Sequence, residues 1–543
     1  MADVKLGEPF GMEAGALSNI DFDLSIKRIL SDVKTDFIYA PHLSLIYSRA
    51  GEALKEIVIG ELKSGRFSPG LPISIEVPKT FRIPVESRMR LGPAYSRLGS
   101  ILMPKDRLLY QALADKSTDI ITRALDNERV FSHQIAEAGS PVMFLPTRKC
   151  WNDLQVALSK NSDGASVGYV LKLDISNYFW SINLHKLINI LNDAGLIKIY
   201  SSRLEVLLTS FTGDRSSRGI LQGIYPSDLF GNFYMVPIDR MLKDMNVPSA
   251  RYVDDLYVFI ESVDHADRIL RELIPALRSY DLSLNESKCK ILPKNLLLAM
   301  EPDLDSLFQA AVKEIGKQIK EDDFTAGYGF QSEWGREDEE PNEANNLDGT
   351  PIELAATISL FVSVNEYTGH EENVERFCLP LFSKAESDYA VNHVKDTFKR
   401  RPAMAQLYCS YLAGFLSDDG VRCFVRGLVS DDSLVDWQRM WVLAAMMQAP
   451  APTDEEIKLA LDVARDGARH DVLRAVAAYF VGRHGDYTRR TAIRANYGQF
   501  SNYVQAAIYA SSRFWPGVER INAKATWGNH GQLHTLLSAA MNK

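Results

Sequence analysis

Two adjacent carboxylates, Asp254 and Asp255, sit at the tip of the run RYVDDLYVFI, and a third, Asp174, closes the upstream run GYVLKLD. Asp is a common turn residue, so an Asp-Asp pair by itself is ordinary. This pair, however, interrupts an apolar ribbon, with Tyr252 and Val253 before it and Leu256, Tyr257, Val258, Phe259 and Ile260 after it. β-Branched and aromatic residues on both sides of a polar dipeptide predict a hairpin. Like charges crowded at its tip repel unless a cation lies between them. A hard divalent ion with oxygen ligands, above all magnesium, fits that role. Residues 168–175 predict a strand that delivers Asp174 to the rim of a sheet, where ligands commonly bind. Three carboxylates on two neighbouring strands can hold two magnesium ions roughly 3.5–4 Å apart, one activating an attacking oxygen and one stabilising a leaving oxygen. Phosphoryl transfer is the chemistry that needs such an arrangement.

The elements around these acids follow from the same pattern. Ser176 to Ile182 switches from polar to aromatic and predicts a turn into a helix. Between the acidic sites lies GILQGIYPSDLFGN, residues 219–232. Gln222 offers an amide, and Gly223, lacking a Cβ, would let a nucleotide approach the backbone. Pro226-Ser227 reads as the first turn of a helix. From Asp264 to Tyr280, Ile269, Leu270, Leu273, Ile274 and Leu277 recur at helical spacing, and the segment leads to LNESKCKI, residues 284–291, expected as a lysine-bearing strand.

This order of motifs resembles the reverse transcriptases over about residues 70–300. Asp174 matches their first palm motif; Gln222-Gly223, Pro226-Ser227 and Leu229–Asn232 match the second; Tyr252-Val253-Asp254-Asp255 matches the YxDD box; Asn285 and Lys288 match the following lysine motif. The resemblance implies that Asp174, Asp254 and Asp255 are the catalytic and metal-binding residues, with two Mg2+ ions and Mn2+ as a substitute. It implies that Phe179 is an aromatic gate favouring deoxynucleotides, that Gln222 and Gly223 contact the incoming nucleotide, and that Lys288 serves departing pyrophosphate. An ordinary core aromatic and a solvated lysine are the bland alternatives for Phe179 and Lys288. In the fingers, Lys79, Arg82, Arg88, Arg90, Arg97, Lys105 and Arg107 form a basic stretch suited to phosphate. Arg97, then Arg107, is the expected triphosphate ligand, by resemblance of residues 97–107 to the family's finger segment.

The 543 residues, 46% hydrophobic, suffice for two or more domains. No apolar run is long enough for a membrane span, and the first residues, MADVKLGE, do not read as a secretory signal. The five cysteines are scattered without a CxxC pair, which favours reduced thiols in the cytoplasm and disfavours a zinc finger. The net charge is −9, yet residues 1–300 are close to balanced, so the acidity falls on the remainder. A basic groove can still exist in the first part, while the acidic second part is a poor duplex-binding domain.

The expected fold is α+β: a helical N-terminal segment, residues 1–70, packing on the fingers; reverse-transcriptase-like fingers and palm of a right-hand polymerase, 71–300; an acidic linker, 301–350; and an all-α domain, 351–543, read as HEAT-like repeats, with an irregular bundle as the alternative. Helices are expected at 351–365, 371–398, 403–416, 419–429, 432–448, 454–466, 469–482, 486–495 and 500–513. A polymerase core followed by helical repeats resembles the bacterial abortive-infection (Abi) and defence-associated reverse transcriptases. That resemblance implies antiphage DNA synthesis from dNTPs, on an RNA template such as a cognate non-coding RNA, or untemplated from a protein tyrosine. It also implies a single-stranded DNA product, free or covalently attached, and a homo-oligomer, a trimer or hexamer. Tyr39 and Tyr47, in an aromatic N-terminal stretch, are the candidates for a priming tyrosine. The competing readings are an RNA-directed RNA polymerase, which YVDD and Phe179 disfavour, and a catalytically idle scaffold.

Overall fold

Side-chain parity builds the palm. In the strand Tyr169–Asp174 (β3), Leu171 and Leu173 enter the main core while Val170 enters a second, smaller one. In Asp255–Ile260 (β5), Leu256, Val258 and Ile260 join the first core, and Tyr257 and Phe259 the second. Alternate residues of a strand face opposite sides, so this sheet is buried on both faces, which explains the unbroken apolar runs. The computed structural model describes residues 8–79, 96–213, 216–300, 304, 307–308, 351–362 and 371–542. Arg82, Arg88 and Arg90 of the expected basic patch, and nearly all of the acidic linker, lie outside those residues.

Among the described residues the palm sheet has the order β4-β5-β3-β6, with β4 Ser249–Tyr252 and β6 Lys290–Pro293, all pairs antiparallel. The fingers contribute a two-stranded ribbon, β1 Ile73–Pro78 with β2 Ser96–Ile101.

Three helices of the N-terminal segment, Phe22–Asp32 (α1), Pro41–Arg49 (α2) and Gly51–Lys63 (α3), pack on the long fingers helix Pro104–Ala124 (α4). Arg107 on α4 fixes this packing. Its guanidinium is buried and donates to Asp32 and Asp36, each at 2.7 Å. Burial opposes its charge, but the two carboxylates outweigh burial and hold the cation. Arg107 is therefore not available to a triphosphate, contrary to the sequence expectation.

After the palm, the chain is helical at 351–362 and 371–542. The expected helix over 371–398 is two, Glu371–Lys384 and Val391–Thr397, because Glu386 takes a left-handed φ of 49° and ends the first. Beyond them, alternate helices stack as one layer: Ala405–Ala413 (α5), Asp436–Met446 (α6), Asp471–His484 (α7), Asn502–Ser511 (α8) and Gln532–Met541 (α9). The intervening helices, such as Asp454–Arg465, lie against this layer on an amphipathic face. In that helix Ile457, Ala460, Leu461 and Ala464 are buried at spacings of three and four, whereas Trp437 to Met446 on α6 are buried all round. The helix Gly517–Trp527 and α9 lie beyond the expected set. The array does not stand apart: α8 and α9 pack on α2, and α6 packs on β1.

Candidate polymerase active site

The YVDD box folds as a two-residue hairpin. Tyr252 pairs with Asp255, which leaves Val253 and Asp254 as the turn. Val253 has φ of 54°, a conformation that costs a β-branched residue on the order of 1–3 kcal/mol. Buried partners hold it there. The Val253 N–H donates to Ser132 Oγ at 2.8 Å, and Arg251 Nη1 donates to the Val253 carbonyl at 2.9 Å. Arg251 is 1% exposed; it also donates to both oxygens of Asp239, to Asn232 Oδ1 and to the Asn232 carbonyl. Asn232, the last residue of the QG-containing motif, closes the network by exchanging hydrogen bonds with Ser132. Arg251, Ser132 and Asp239 were not recognised in the sequence, although Arg251 directly precedes the box.

Across the sheet, Asp174 is the register partner of Asp255. Antiparallel partners project to the same face, so these two carboxylates share a face and Asp254 stands beside them on the turn. The Asp254 carboxyl is pushed up to about 6, first by burial and then by the neighbouring Asp174.

Lys288 supplies the countercharge. Its Nζ lies 2.8 Å from Asp174 Oδ2. Partial burial opposes its charge, but the hydrogen bond to Asp174 and the charges of Asp174, Asp255 and Asp254 raise its pKa. The expected lysine strand is mostly a turn: the Asn285 N–H donates to the Asp174 carbonyl, the Lys288 N–H donates to the Asn285 carbonyl, and regular pairing starts only at Lys290.

Among the described residues no three His, Cys, Asp or Glu side chains converge tightly enough to form a ready-made metal cage. The donor set nevertheless fits a divalent cation. It is all oxygen, its charges are crowded enough to raise Asp254, and an ammonium group already sits on Asp174.

The gate candidate, Phe179, lies in the short helix Tyr178–Ser181 and is buried against Gly231, where a Cβ would come within 3.0 Å of its ring. The Tyr178 hydroxyl donates to the Gly231 carbonyl and locks the same contact. Gln222 bridges to Gly99 of β2, so the QG turn abuts the fingers ribbon. Gly223 has φ of 86°, and the space its missing Cβ leaves belongs to Phe37, whose ring would lie 2.4 Å from a Cβ. That space is filled by a side chain of this protein.

Arg97 on β2 lies over the Phe37 ring at 4.9 Å. Lys79, just past the end of β1, has its pKa lowered, first by burial and then by the charges of Arg97 and Lys288, with Asp254 and Asp174 opposing. Lys79 of the fingers thus lies within electrostatic reach of the palm acids Asp254 and Asp174. Tyr39 and Tyr47 are buried, 6% and 2% exposed. Tyr39 packs on Trp441 of the helical array, and Tyr47 has Arg107, Asp36, Asp106 and Asp32 as its charged neighbours. Neither is presented at the surface, because the N-terminal segment is pressed between the fingers and the array.

Residues 100–301 match the family model described as reverse transcriptase (RNA-dependent DNA polymerase). The chain therefore carries a reverse transcriptase domain over these residues. No curated protein matches the chain. Similar solved structures include a telomerase from Candida albicans in complex with a fragment of telomeric RNA, at 9% identity and TM-score 0.28, covering 72% of this chain and 65% of that one. An apo telomerase from Candida tropicalis is similar at 9% identity and TM-score 0.27, covering 90% of this chain and 73% of that one. Among the described residues no helix is long and apolar enough to cross a membrane.

Proposed function

We propose that this protein copies an RNA template into DNA from dNTPs, with Asp174, Asp254 and Asp255 as its catalytic residues. The observation that carries the reading is the pairing of Asp174 with Asp255 across the sheet, beside Asp254 and under Lys288. Two divalent ions, magnesium with manganese as a substitute, would be held by the three carboxylates and would neutralise charge on the attacking and leaving oxygens. The other roles belong to the chain's own side chains. Lys288 neutralises departing pyrophosphate. Arg97 and Lys79 draw in the triphosphate. Gln222 faces the incoming nucleotide, and Phe179 crowds a ribose 2′-hydroxyl.

The subgroup we favour is the defence-associated reverse transcriptases, acting against phage in the cytoplasm as a homo-oligomer, with the C-terminal helices as a HEAT-like array. Its support is the polymerase order of motifs followed by stacked helices. Of the two modes of synthesis, copying a cognate non-coding RNA is favoured over tyrosine priming, because Tyr39 and Tyr47 are buried.

The test is RNA-templated extension with purified protein and dNTPs, together with sequencing of co-purifying nucleic acid before and after proteinase digestion. A defined DNA complementary to a co-purifying RNA is the expected product. Random or homopolymeric DNA bound to protein would instead support untemplated, protein-primed synthesis.

A further inference from the structure

Phe37 belongs to the N-terminal segment and precedes the matched polymerase span, yet it occupies the junction of fingers and palm. Its side chain meets two glycines. A Cβ on Gly223 would lie 2.4 Å from the ring, and one on Gly99 would lie 3.3 Å from Phe37 Cβ. Gly99 and Gln222 are bridged to each other, so Phe37 sits beside the point where β2 meets the QG turn. Arg97 covers the ring at 4.9 Å, a cation–π contact. One aromatic side chain therefore touches both the candidate triphosphate ligand and the turn that carries Gln222.

The backbone of Phe37 is held from the other side. Trp437 of α6, in the helical array, donates its Nε1–H to the Phe37 carbonyl at 2.6 Å, and both residues are buried. The flanking residues add two anchors. The Asp36 carboxylate is paired with Arg107, and the Tyr39 ring packs on Trp441. With α6 also against β1, the array reaches the fingers through the ribbon and through this stretch, where Gln406 of α5 also donates to the Asp36 carbonyl.

We propose that Phe37 is a positioning residue for nucleotide selection, a wedge that sets the separation of Arg97 from Gln222, and that the C-terminal array holds the wedge in place through Trp437. This rests on the reading of Arg97 and Gln222 as nucleotide ligands. It gives the array a role in catalysis: a movement of α6 is passed to the nucleotide site without α6 touching a nucleotide. Loss of the wedge weakens dNTP binding more than the chemical step, since Asp174, Asp254 and Asp255 are held by other contacts.

The test uses the full-length protein with Trp437→Phe, which keeps an aromatic ring but removes the donor, and Phe37→Leu, which keeps apolar bulk but removes the face under Arg97. Steady-state incorporation across a dNTP series should give a KM raised about three- to tenfold, with kcat within about twofold. Thermal melting of both variants should stay cooperative and close to that of the parent. An unchanged KM in both variants, or equal loss of kcat and KM with a lowered melting point, overturns the wedge. The double variant Asp254→Asn/Asp255→Asn serves as the separate control: if it incorporates dNTPs, the polymerase site itself has been misassigned, whatever Phe37 does.

Discussion

Asp174 and Asp255 come from strands separated by the whole QG segment, yet they are direct partners in the antiparallel register of β3 and β5. Shared facing, not sequence proximity, makes them one site. Asp254→Asn/Asp255→Asn removes two of three anionic ligands and relieves their crowding. Primer-extension activity should vanish while the melting temperature holds or rises. Retained incorporation in this variant would refute the assignment.

Asp254 offers a pH test. Its carboxyl stands at about 6 in the fold against an ordinary value of 3.8. The folded value is the higher one, so the stability it contributes is fully present below about pH 4 and is lost as pH rises through 6. Each pH unit between those two values removes roughly 1.4 kcal/mol. In metal-free buffer, Asp254→Asn should melt above the parent at pH 7.5, and the gap should close toward pH 4. A gap that does not vary with pH would mean the carboxyl is not perturbed.

The Val253 turn depends on Arg251. Arg251→Ala leaves Asp239 buried without its partner, and denaturant titration should give a loss of about 3–5 kcal/mol. Arg251→Lys keeps the charge but cannot span Asp239, Asn232 and the Val253 carbonyl together. It should fold and lose most of its turnover. Parental kcat in Arg251→Lys would show that the hairpin holds its own shape.

Phe179→Val should open the space above the ribose. The ratio of kcat/KM for a dNTP to that for the matching NTP should fall about ten- to a hundredfold, as expected for a discrimination made by one steric contact. An unchanged ratio in an active variant would return Phe179 to the core, where its contact with Gly231 already gives it a packing role.

The three carboxylates, the hairpin and the helix opened by Pro226 were legible in the sequence because each is local: strand alternation, a polar break in an apolar run, and a proline in a first turn are properties of neighbours along the chain. So was the helical character of the described residues after 350, carried by apolar recurrence at three and four. The tertiary structure decided which charges are spent inside. Arg107 and Arg97 look alike as basic fingers residues, but Asp32 and Asp36, far away in sequence, bury one, while the other covers Phe37. It also decided that Gly223 makes room for Phe37, that Tyr39 and Tyr47 fill a seam, and that Arg251 and Ser132 brace Val253. Most of these contacts join segments distant along the chain. Desolvation and packing are set by what the fold brings opposite a side chain, and residue type and spacing carry no record of that neighbour.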